Sequence, residues 1–437
     1  MAYEAICCQL TNVREHPNAD RLKLATVQGY QVIVGLDAKD GDLGIFFPCD
    51  GKLSEAHLHN NNLYSKAELN SDTDKTGYFG KKGRVRAQRF RGSKSEGFWQ
   101  EIECLEWTGA KTWMEDPTGG LKDGDKFTHL NGELICEKYY TPATQKAMGN
   151  KQKKKVQKVD YSNFAQHYDT KQLRDHIRDI PAGAIIYISE KIHGTSGRTG
   201  YVCTIRKPGW LSRVWNAVAP RDWNISGKKW EYVSGTRRTV LTKGKADGFY
   251  QDTSFRQHIH DQIKLAGLHK GETLYYEIVG FTDRGGFIMP PHGIEDKKLK
   301  KKFGSEMCYT YGREQNGTKL QFGFHIYRIT MTSEDGQTVE YSWPQVVARC
   351  SELGFDIVPE LMGPLIYDKN GEELVEDCLR LSNGTSILDD SHIMEGVVVR
   401  VEHEFMWTAL KYKSFWFCEL ESIRKNDDNY VDPEEIA

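Results

Sequence analysis

The chain has little net charge of either sign. Its 59 lysines and arginines stand against 61 aspartates and glutamates, a net of -2 over 437 residues. Wholesale electrostatic binding to nucleic acid is thereby excluded, and any cationic surface has to be local. It also has no C-x-x-C pair; the ten cysteines are scattered, with one adjacent pair at Cys7 and Cys8. Neither a zinc site nor a disulfide scaffold is signalled, and free thiols fit a reducing compartment, the cytoplasm. No apolar stretch approaches the roughly 20 residues that cross a bilayer. The opening "MAYEAICCQL" has no basic start and only a short apolar run, unlike a secretory leader, so no membrane association is expected. A G-x-x-x-x-G-K-[ST] loop is missing too, so the glycines of "GRTGYV" do not make a P-loop.

What is present describes a soluble globular protein of two or three domains, with 27% charged and 11% aromatic residues and enough length to bury a sizeable core. Residues 1–140 hold short β-branched and aromatic runs, "YQVIVGL", "LGIFFPCDGKL" and "RVRAQRF", bounded by turn residues. They predict an all-β module, a small barrel. Residues 141–175 shift to a lysine-rich stretch with few large apolar residues, a linker and connecting helix. Residues 176–437 mix strand candidates ("GAIIYIS", "TLYYEIVGF", "FGFHIYRIT", "MEGVVVRVE", "TALKYKS") with helices, clearest in "SWPQVVARCSELG". This predicts an α+β domain on mostly antiparallel sheets.

One residue of that domain raises a chemical question. Lys191 in "SEKIHGTSGR" sits where an apolar strand, "AIIYI", gives way to a glycine-containing turn. A lysine acts as a nucleophile only when its amine has lost its proton, through partial burial or neighbouring cations. Lys411 and Lys413 in "LKYKS" are two apart on a strand, so both face one side, where they would depress a third lysine's basicity and meet a phosphate. On this reading those two lysines and a metal ion, with no resident carboxylate, govern the Lys191 amine. Glu277 in "LYYEIVG" and Glu395 in "EGVVVR" stand at the edges of apolar strands and are candidate oxygen ligands for Mg²⁺ or Mn²⁺. Tyr327 in "FHIYRIT" can stack on a base. Each of these, alone, also describes an ordinary strand-end charge or core ring.

Taken in order, K-x-x-G, "VSGTRR", "LYYEIVG", "FHIYRIT", "EGVVVR" and "LKYKS" resemble the motif series of the covalent nucleotidyltransferases, the ATP-dependent ligases and mRNA capping enzymes. His193 within "EKIHGTS" is similar to the nick-sealing branch of RNA ligases; that branch often has Asn where this chain has Ser196. The resemblance implies ATP as AMP donor, with Lys191 attacking the α-phosphate. It implies that Glu190 holds the adenine, Arg237 contacts the ribose or the RNA end, and Glu277 lies near the ribose. Gly194 closes the nucleophile motif, Tyr327 is the stacking aromatic, Glu395 orders metal-bound water, and Lys411 and Lys413 meet the α-phosphate. For His193 both metal and phosphate contact stay open.

Towards the N-terminus, "HPNADRLKLATV", "GIFFPCDGKLS" and "GRVRAQRFRGSKSEGF" resemble the OB-fold of tRNA-binding domains and the N-terminal module of one family of nick-sealing RNA ligases. Six cations, Lys81, Lys82, Arg84, Arg86, Arg89 and Arg91, run beside Phe90, Phe98 and Trp99. Cations track a phosphate backbone while rings stack on bases, so these six are the expected RNA contacts. The lysine runs "KKLKKK" and "KQKKKVQK" read as solvated surface rather than as specific contacts.

The expectation is an ATP- and Mg²⁺-dependent RNA ligase that joins 3′-OH and 5′-phosphate ends, in a nicked duplex, with no protein partner implied. A DNA ligase or a GTP-dependent capping guanylyltransferase is the enzymatic alternative, made less apt by the 23 residues after Ser414, too few for a C-terminal OB-fold. A non-catalytic RNA-binding protein is the other. The four tryptophans of 208–230 carry no assignment.

Overall fold

The structure, a computed structural model, describes residues 3–117, 119–149, 159–167, 170–206, 215, 217–218, 227–241, 254–315, 318–319, 321–403 and 406–436. Most of the tryptophan-rich stretch and the lysine cluster at 151–158 lie outside the described residues. The chain divides into two compact units, Met1–Thr141 with Phe415–Asp428, and Pro142–Ser414 with Asn429–Ala437.

The larger unit contains, in order, β1 (Ile185–Lys191), β2 (Thr195–Arg206), β3 (Lys228–Gly235), α1 (Ser254–Ala266), β4 (Glu272–Val279), β5 (Gly323–Thr332), α2 (Trp343–Leu353), β6 (Glu360–Ile366), α3 (Gly371–Ser382), β7 (Gly396–His403) and β8 (Met406–Lys413). One sheet has the order Lys171–Gln172, β8, β7, β1, β6. It is antiparallel except where Lys171–Gln172 runs parallel to β8. The other runs Val240–Leu241, β3, β2, β4, β5, Thr338–Glu340, with Val159–Asp160 paired to β2.

Period-two alternation decides which side of the first sheet is core. Ile186 and Ile188 of β1, Val397, Val399 and Val401 of β7, and Leu410 and Tyr412 of β8 are buried with Leu374 and Cys378 of α3. The intervening side chains of the same strands, Tyr187, Ser189, Lys191, Val398, Arg400, Ala409 and Lys411, line a cavity. Helix α2 begins at a capping box: the Ser342 side chain accepts from the third turn residue's amide, and Gln345 Oε1 accepts from the Ser342 amide at 2.8 Å. Trp343, in its first turn, is thereby fixed against the same cavity.

In the smaller unit, Ala5–Gln9 pairs with both Leu43–Pro48 and Lys126–Phe127, and Gly97–Glu101 completes a four-stranded sheet; Thr11–Glu15, Lys23–Val27 and Tyr30–Val34 form a three-stranded one. The barrel expected for this region is not formed among the described residues, because no sheet closes. The edge strands Lys126–Phe127 and Gly97–Glu101 do not pair with each other; the two sheets meet through side chains and through the Glu96 amide, which donates to Gln31 O at 2.9 Å. Ile6, Cys8 and Phe46 pack against Ala25, Val32 and Val34 on one side. Ala5, Cys7, Ile45 and Phe47 face a second core on the other. Cys7 and Cys8 therefore point to opposite faces, and burial pushes the Cys7 thiol up to about 12. "RVRAQRF" supplies a strand only at Gln88–Phe90, paired with Ser93–Ser95. Residues 415–428, expected in the larger domain, instead return to this unit, where α4 (Phe415–Arg424) buries Phe415, Phe417 and Leu420.

Candidate active site

Three rungs cross the first sheet. Lys191, Gly396 and Lys413 are mutual partners, as are Ser189, Val398 and Lys411, and Tyr187, Arg400 and Ala409. Neighbouring strands lie about 4.8 Å apart, so the strand order sets the two outer lysines on either side of a glycine. Glu395, the residue before that glycine, is fully buried. Its Oε1 lies 2.7 Å from Lys191 Nζ and 3.8 Å from Lys413 Nζ, and its Oε2 lies 3.4 Å from His193 Nδ1. Burial pushes the Glu395 carboxyl up, but Lys191, His193 and Lys413 together pull it further down, so it sits below the ordinary carboxylate value. A resident carboxylate thus holds Lys191, contrary to the expectation that the other two lysines and a metal alone govern its amine. The reason is geometric: the end of β1 and the start of β7 are adjacent in register, which brings residue 395 to residue 191.

The opposite wall comes from the second sheet. Ser196 of β2 and Glu277 of β4 are register partners, and Ser196 Oγ donates to Glu277 Oε2 at 3.0 Å. Arg328 of β5 pairs with Tyr275, whereas Ile326 pairs with Tyr276, so Tyr327 is the extra residue of a β-bulge. A bulge re-aims the side chain it carries, and here the Tyr327 ring lines the cavity, with its centroid 5.1 Å from that of His167. Burial raises the Tyr327 hydroxyl, with Glu277 adding to the rise and Arg237 and Ser196 opposing it. Arg237, just past the end of β3, lines the same cavity. Gly194 does not line it. A Cβ there would stand 2.4 Å from Ile278 O and 2.8 Å from Glu277 Cγ, so the glycine permits the approach that sets Glu277 in place.

Glu190 is buried and lines the cavity beside Lys191. Its Oε2 accepts the Ile387 amide at 3.1 Å, while Oε1 has no hydrogen-bond partner among the described residues. Burial raises this carboxyl above the ordinary value against the lowering effect of Ser386 and Ile387. Such a group can accept from, or when protonated donate to, a ligand edge.

Of the predicted residues, Glu190, Lys191, Arg237, Glu277, Tyr327 and Lys411 line one cavity, while Glu395, Lys413 and His193 form the cluster around the Lys191 ammonium. His193 does not line the cavity: its Nε2 is 3.3 Å from His292 Nε2, and its backbone amide donates to Tyr311 Oη at 2.6 Å. Sequence reasoning missed His167, Thr170, Arg400, Trp343 and His292. His167 follows the linker with no pattern of its own; it is held because Arg198 Nη1 and Tyr275 Oη bind the carbonyls of Phe164 and Ala165 just before it, at 3.0 and 2.8 Å. Arg400 is legible as the lone charge in "GVVVRV", and the structure pairs it with Glu402 at 2.7 Å.

In the smaller unit the six predicted RNA contacts divide. Arg84 donates to Asn426 Oδ1 and Ser422 O, Lys82 pairs with Asp428, and Arg89 lies 4.1 Å from the Trp416 ring centroid and 3.4 Å from Glu419. Lys81 and Arg91 are exposed and Arg86 is half-buried.

Among the described residues, no three His, Cys, Asp or Glu side chains are grouped to hold a metal ion. The donors present are Glu395, buried among cations, and Glu277 across the cavity. A hard cation that takes one or two carboxylates and completes its shell with phosphate oxygens and water fits that set; a cation needing an all-protein cage does not.

Residues 184–417, more than half of the chain, match the family described as RNA ligase. The chain is also similar in fold to solved structures of Naegleria gruberi RNA ligase. A mutant with ATP and Mn has a TM-score of 0.54 at 15% identity, covering 96% of this chain and 98% of that one. Another mutant, with AMP and Mn, has a TM-score of 0.55 at 14% identity, covering 98% and 99%. The form with PPi has a TM-score of 0.54 at 15% identity, covering 94% and 96%. No curated protein matches the sequence.

Proposed function

The chain belongs to the RNA ligase family, and on that premise we propose that it uses ATP to join an RNA 3′-hydroxyl to an RNA 5′-phosphate at nicks in a duplex, through a lysyl-AMP intermediate on Lys191. The observation that carries this reading is the pairing of Lys191 Nζ with Glu395 at 2.7 Å at the edge of a cavity walled by Tyr327, Glu190 and Lys411. An amine held there is poised beside a nucleotide-sized recess, and the recess has an aromatic ring for a base and cations for phosphates. The adenine lies between Tyr327 and Val398, with its edge on Glu190; Arg237 and Glu277 serve the ribose. That the Naegleria ligases were solved with ATP or AMP and Mn supports an adenine nucleotide and a divalent cation here.

The chemistry follows from the groups in place. For Lys191 to attack, its pair with Glu395 has to open and the ammonium to lose a proton. Its nitrogen then bonds to the α-phosphorus of ATP as the bond to the pyrophosphate oxygen breaks, and pyrophosphate leaves with that electron pair. Lys411 and Lys413 oppose the charge that develops on the α-phosphate oxygens. An oxygen of the RNA 5′-phosphate next attacks the same phosphorus, the N–P bond breaks, and Lys191 regains its proton. Finally the 3′-hydroxyl oxygen attacks the RNA 5′-phosphorus, loses its proton, and AMP departs. Glu395 and Glu277 are the residues that would hold Mg²⁺ or Mn²⁺, which when bound neutralises phosphate charge.

The smaller unit, whose sequence resembles an OB-fold, would grip the RNA through Lys81, Arg86 and Arg91, with Lys82, Arg84 and Arg89 shared between RNA and α4. The decisive experiment incubates the protein with α-labelled ATP and Mg²⁺. Wild type should acquire a covalent label that survives denaturing electrophoresis and alkali but is released by acid, as a P–N bond requires, and that Lys191→Ala lacks; it should also seal a nicked RNA duplex, and no label on wild type would sink the proposal.

A further inference from the structure

Outside the cavity, a concentration of charge without ion pairs among the described residues is on a short helix. Lys297–Phe303 carries Lys297, Lys298, Lys300, Lys301 and Lys302, all exposed, and is anchored only by Leu299. None of the five has an ion pair among the described residues. Asp296 is committed as the helix cap, accepting from the amides of Lys298 and Leu299 at 2.8 and 3.0 Å. Two exposed carboxylates, Glu295 and Glu306, flank the helix without pairing to it. Lysines three and four apart on one helix repel by a few tenths of a kcal/mol per pair, so this surface is destabilising until an anion meets it.

Its mounting ties it to the reaction centre. The helix is the connection of a small β-ladder in which His292 pairs with Met307 and Gly293 with Glu306. Ile294 and Met307, both buried, seat that ladder in the larger unit. His292 in turn touches His193 at 3.3 Å, and His193 touches Glu395. Lys297 is five residue steps from His292, a span of at most about 18 Å of chain, and the helix itself is about 10 Å long. A duplex whose broken ends lie at Lys191 would extend over such a distance.

We propose that the lysine helix Lys297–Phe303 is a second RNA-contact surface, binding the phosphate backbone of the duplex beside the nick. The inference rests on the RNA ligase reading. The ligand chemistry is a row of phosphates: five compact ammonium groups with no aromatic set for base stacking suit backbone contact without sequence preference. Lys302 alone lies over a ring, that of Phe303 in the same helix, at 4.7 Å.

The test uses the full chain with Lys297, Lys298, Lys300, Lys301 and Lys302 all changed to Gln, and a second variant with all five changed to Arg. Both substitutions keep helix-forming side chains. Three quantities are measured: label transfer from α-labelled ATP, affinity for a nicked RNA duplex, and the slope of log affinity against log salt. The glutamine variant should label like wild type, bind the duplex at least tenfold more weakly, and lose about 2 to 4 from the salt slope, close to one per phosphate contact. The arginine variant should bind like wild type. If the glutamine variant labels normally and its affinity and slope equal those of wild type, the helix is solvated surface and the proposal is wrong. Failure of wild type to label would instead strike the ligase reading, so the two failures are distinct.

Discussion

Lys191 and Glu395 meet at 2.7 Å with the carboxylate fully buried and the ammonium 17% exposed. Removing the lysine leaves a buried carboxylate that retains only Lys413 and His193, at longer range. Lys191→Met should therefore cost about 1–3 kcal/mol of stability, below the roughly 3–5 kcal/mol of a fully orphaned charge. Glu395→Gln should cost a comparable amount. The double variant should recover part of the sum, because neither charge is then left alone. Thermal unfolding of the four proteins measures the coupling; strict additivity would mean that the contact carries no energy. Both single variants should also lose label transfer, which separates the pair's chemistry from its contribution to stability.

Two carboxylates of the site should respond to pH in opposite senses. Glu395 has a folded value below its ordinary 4.5, so its stabilising contribution is complete above 4.5 and drains away as pH falls through the folded value. Glu190 has a folded value above 4.5, chiefly through burial, so its contribution is complete below 4.5 and is lost as pH rises through the folded value. Over a pH range that spans 4.5, Glu190→Gln should gain stability relative to wild type as pH rises above 4.5, whereas the deficit of Glu395→Gln should be constant above 4.5 and shrink as pH falls below it. Unfolding curves that shift in parallel for both variants across this range would contradict the assignment.

Tyr327 should contribute through its ring. Tyr327→Ala removes a stacking surface worth about 1–3 kcal/mol per base, a loss of roughly 5- to 150-fold in ATP affinity. Tyr327→Phe keeps the ring and drops only the hydroxyl that lies among Ser196, Glu277 and Arg237. It should stay within about threefold of wild type, less than the 1.4 kcal/mol that a tenfold change requires. Nucleotide titration of both variants checks the pair. Equal losses would place the base elsewhere in the cavity.

What could be read from the sequence was the part that local periodicity controls. Lys191 is legible because an apolar strand ends on it, and Lys411 and Lys413 because two-residue spacing puts both on the face opposite Leu410 and Tyr412. Contacts between distant strands are not encoded that way. The Lys191–Glu395 pair follows from the register of β1 on β7, and the bulge that aims Tyr327 follows from Tyr275 and Tyr276 of β4 pairing with Arg328 and Ile326, which leaves Tyr327 of β5 between them. His292 stands in "MPPHGI", whose two-residue strand is too short to show a period, so nothing announces its contact with His193. In the smaller unit the strands Tyr30–Val34 and Leu43–Pro48 were visible as apolar runs, but closure depends on whether edges pair, which no run reveals. The same limit applies to α4. Nothing local in "FWFCELESIR" says that Phe415, Phe417 and Leu420 are buried in the smaller unit; tertiary packing decides it.

That packing gives the basic segment of the smaller unit two separable roles. Arg89 stacks on Trp416 and Phe415, at 4.1 and 4.8 Å from the ring centroids, and pairs with Glu419. A cation held over aromatic rings is worth about 0.5–2 kcal/mol, so Arg89→Ala should destabilise the smaller unit by about 1 kcal/mol as well as weaken any RNA contact. Lys81 is exposed and no ion pair holds it among the described residues, so Lys81→Ala should leave unfolding unchanged and act on RNA alone. The measurement compares thermal unfolding with duplex affinity at two salt concentrations for both variants. If Arg89→Ala unfolds like wild type but binds RNA more weakly, Arg89 is held for the ligand and its contact with α4 is incidental. If Lys81→Ala binds RNA like wild type while Arg89→Ala is merely destabilised, the segment secures the returning helix and the RNA grip of this unit lies elsewhere.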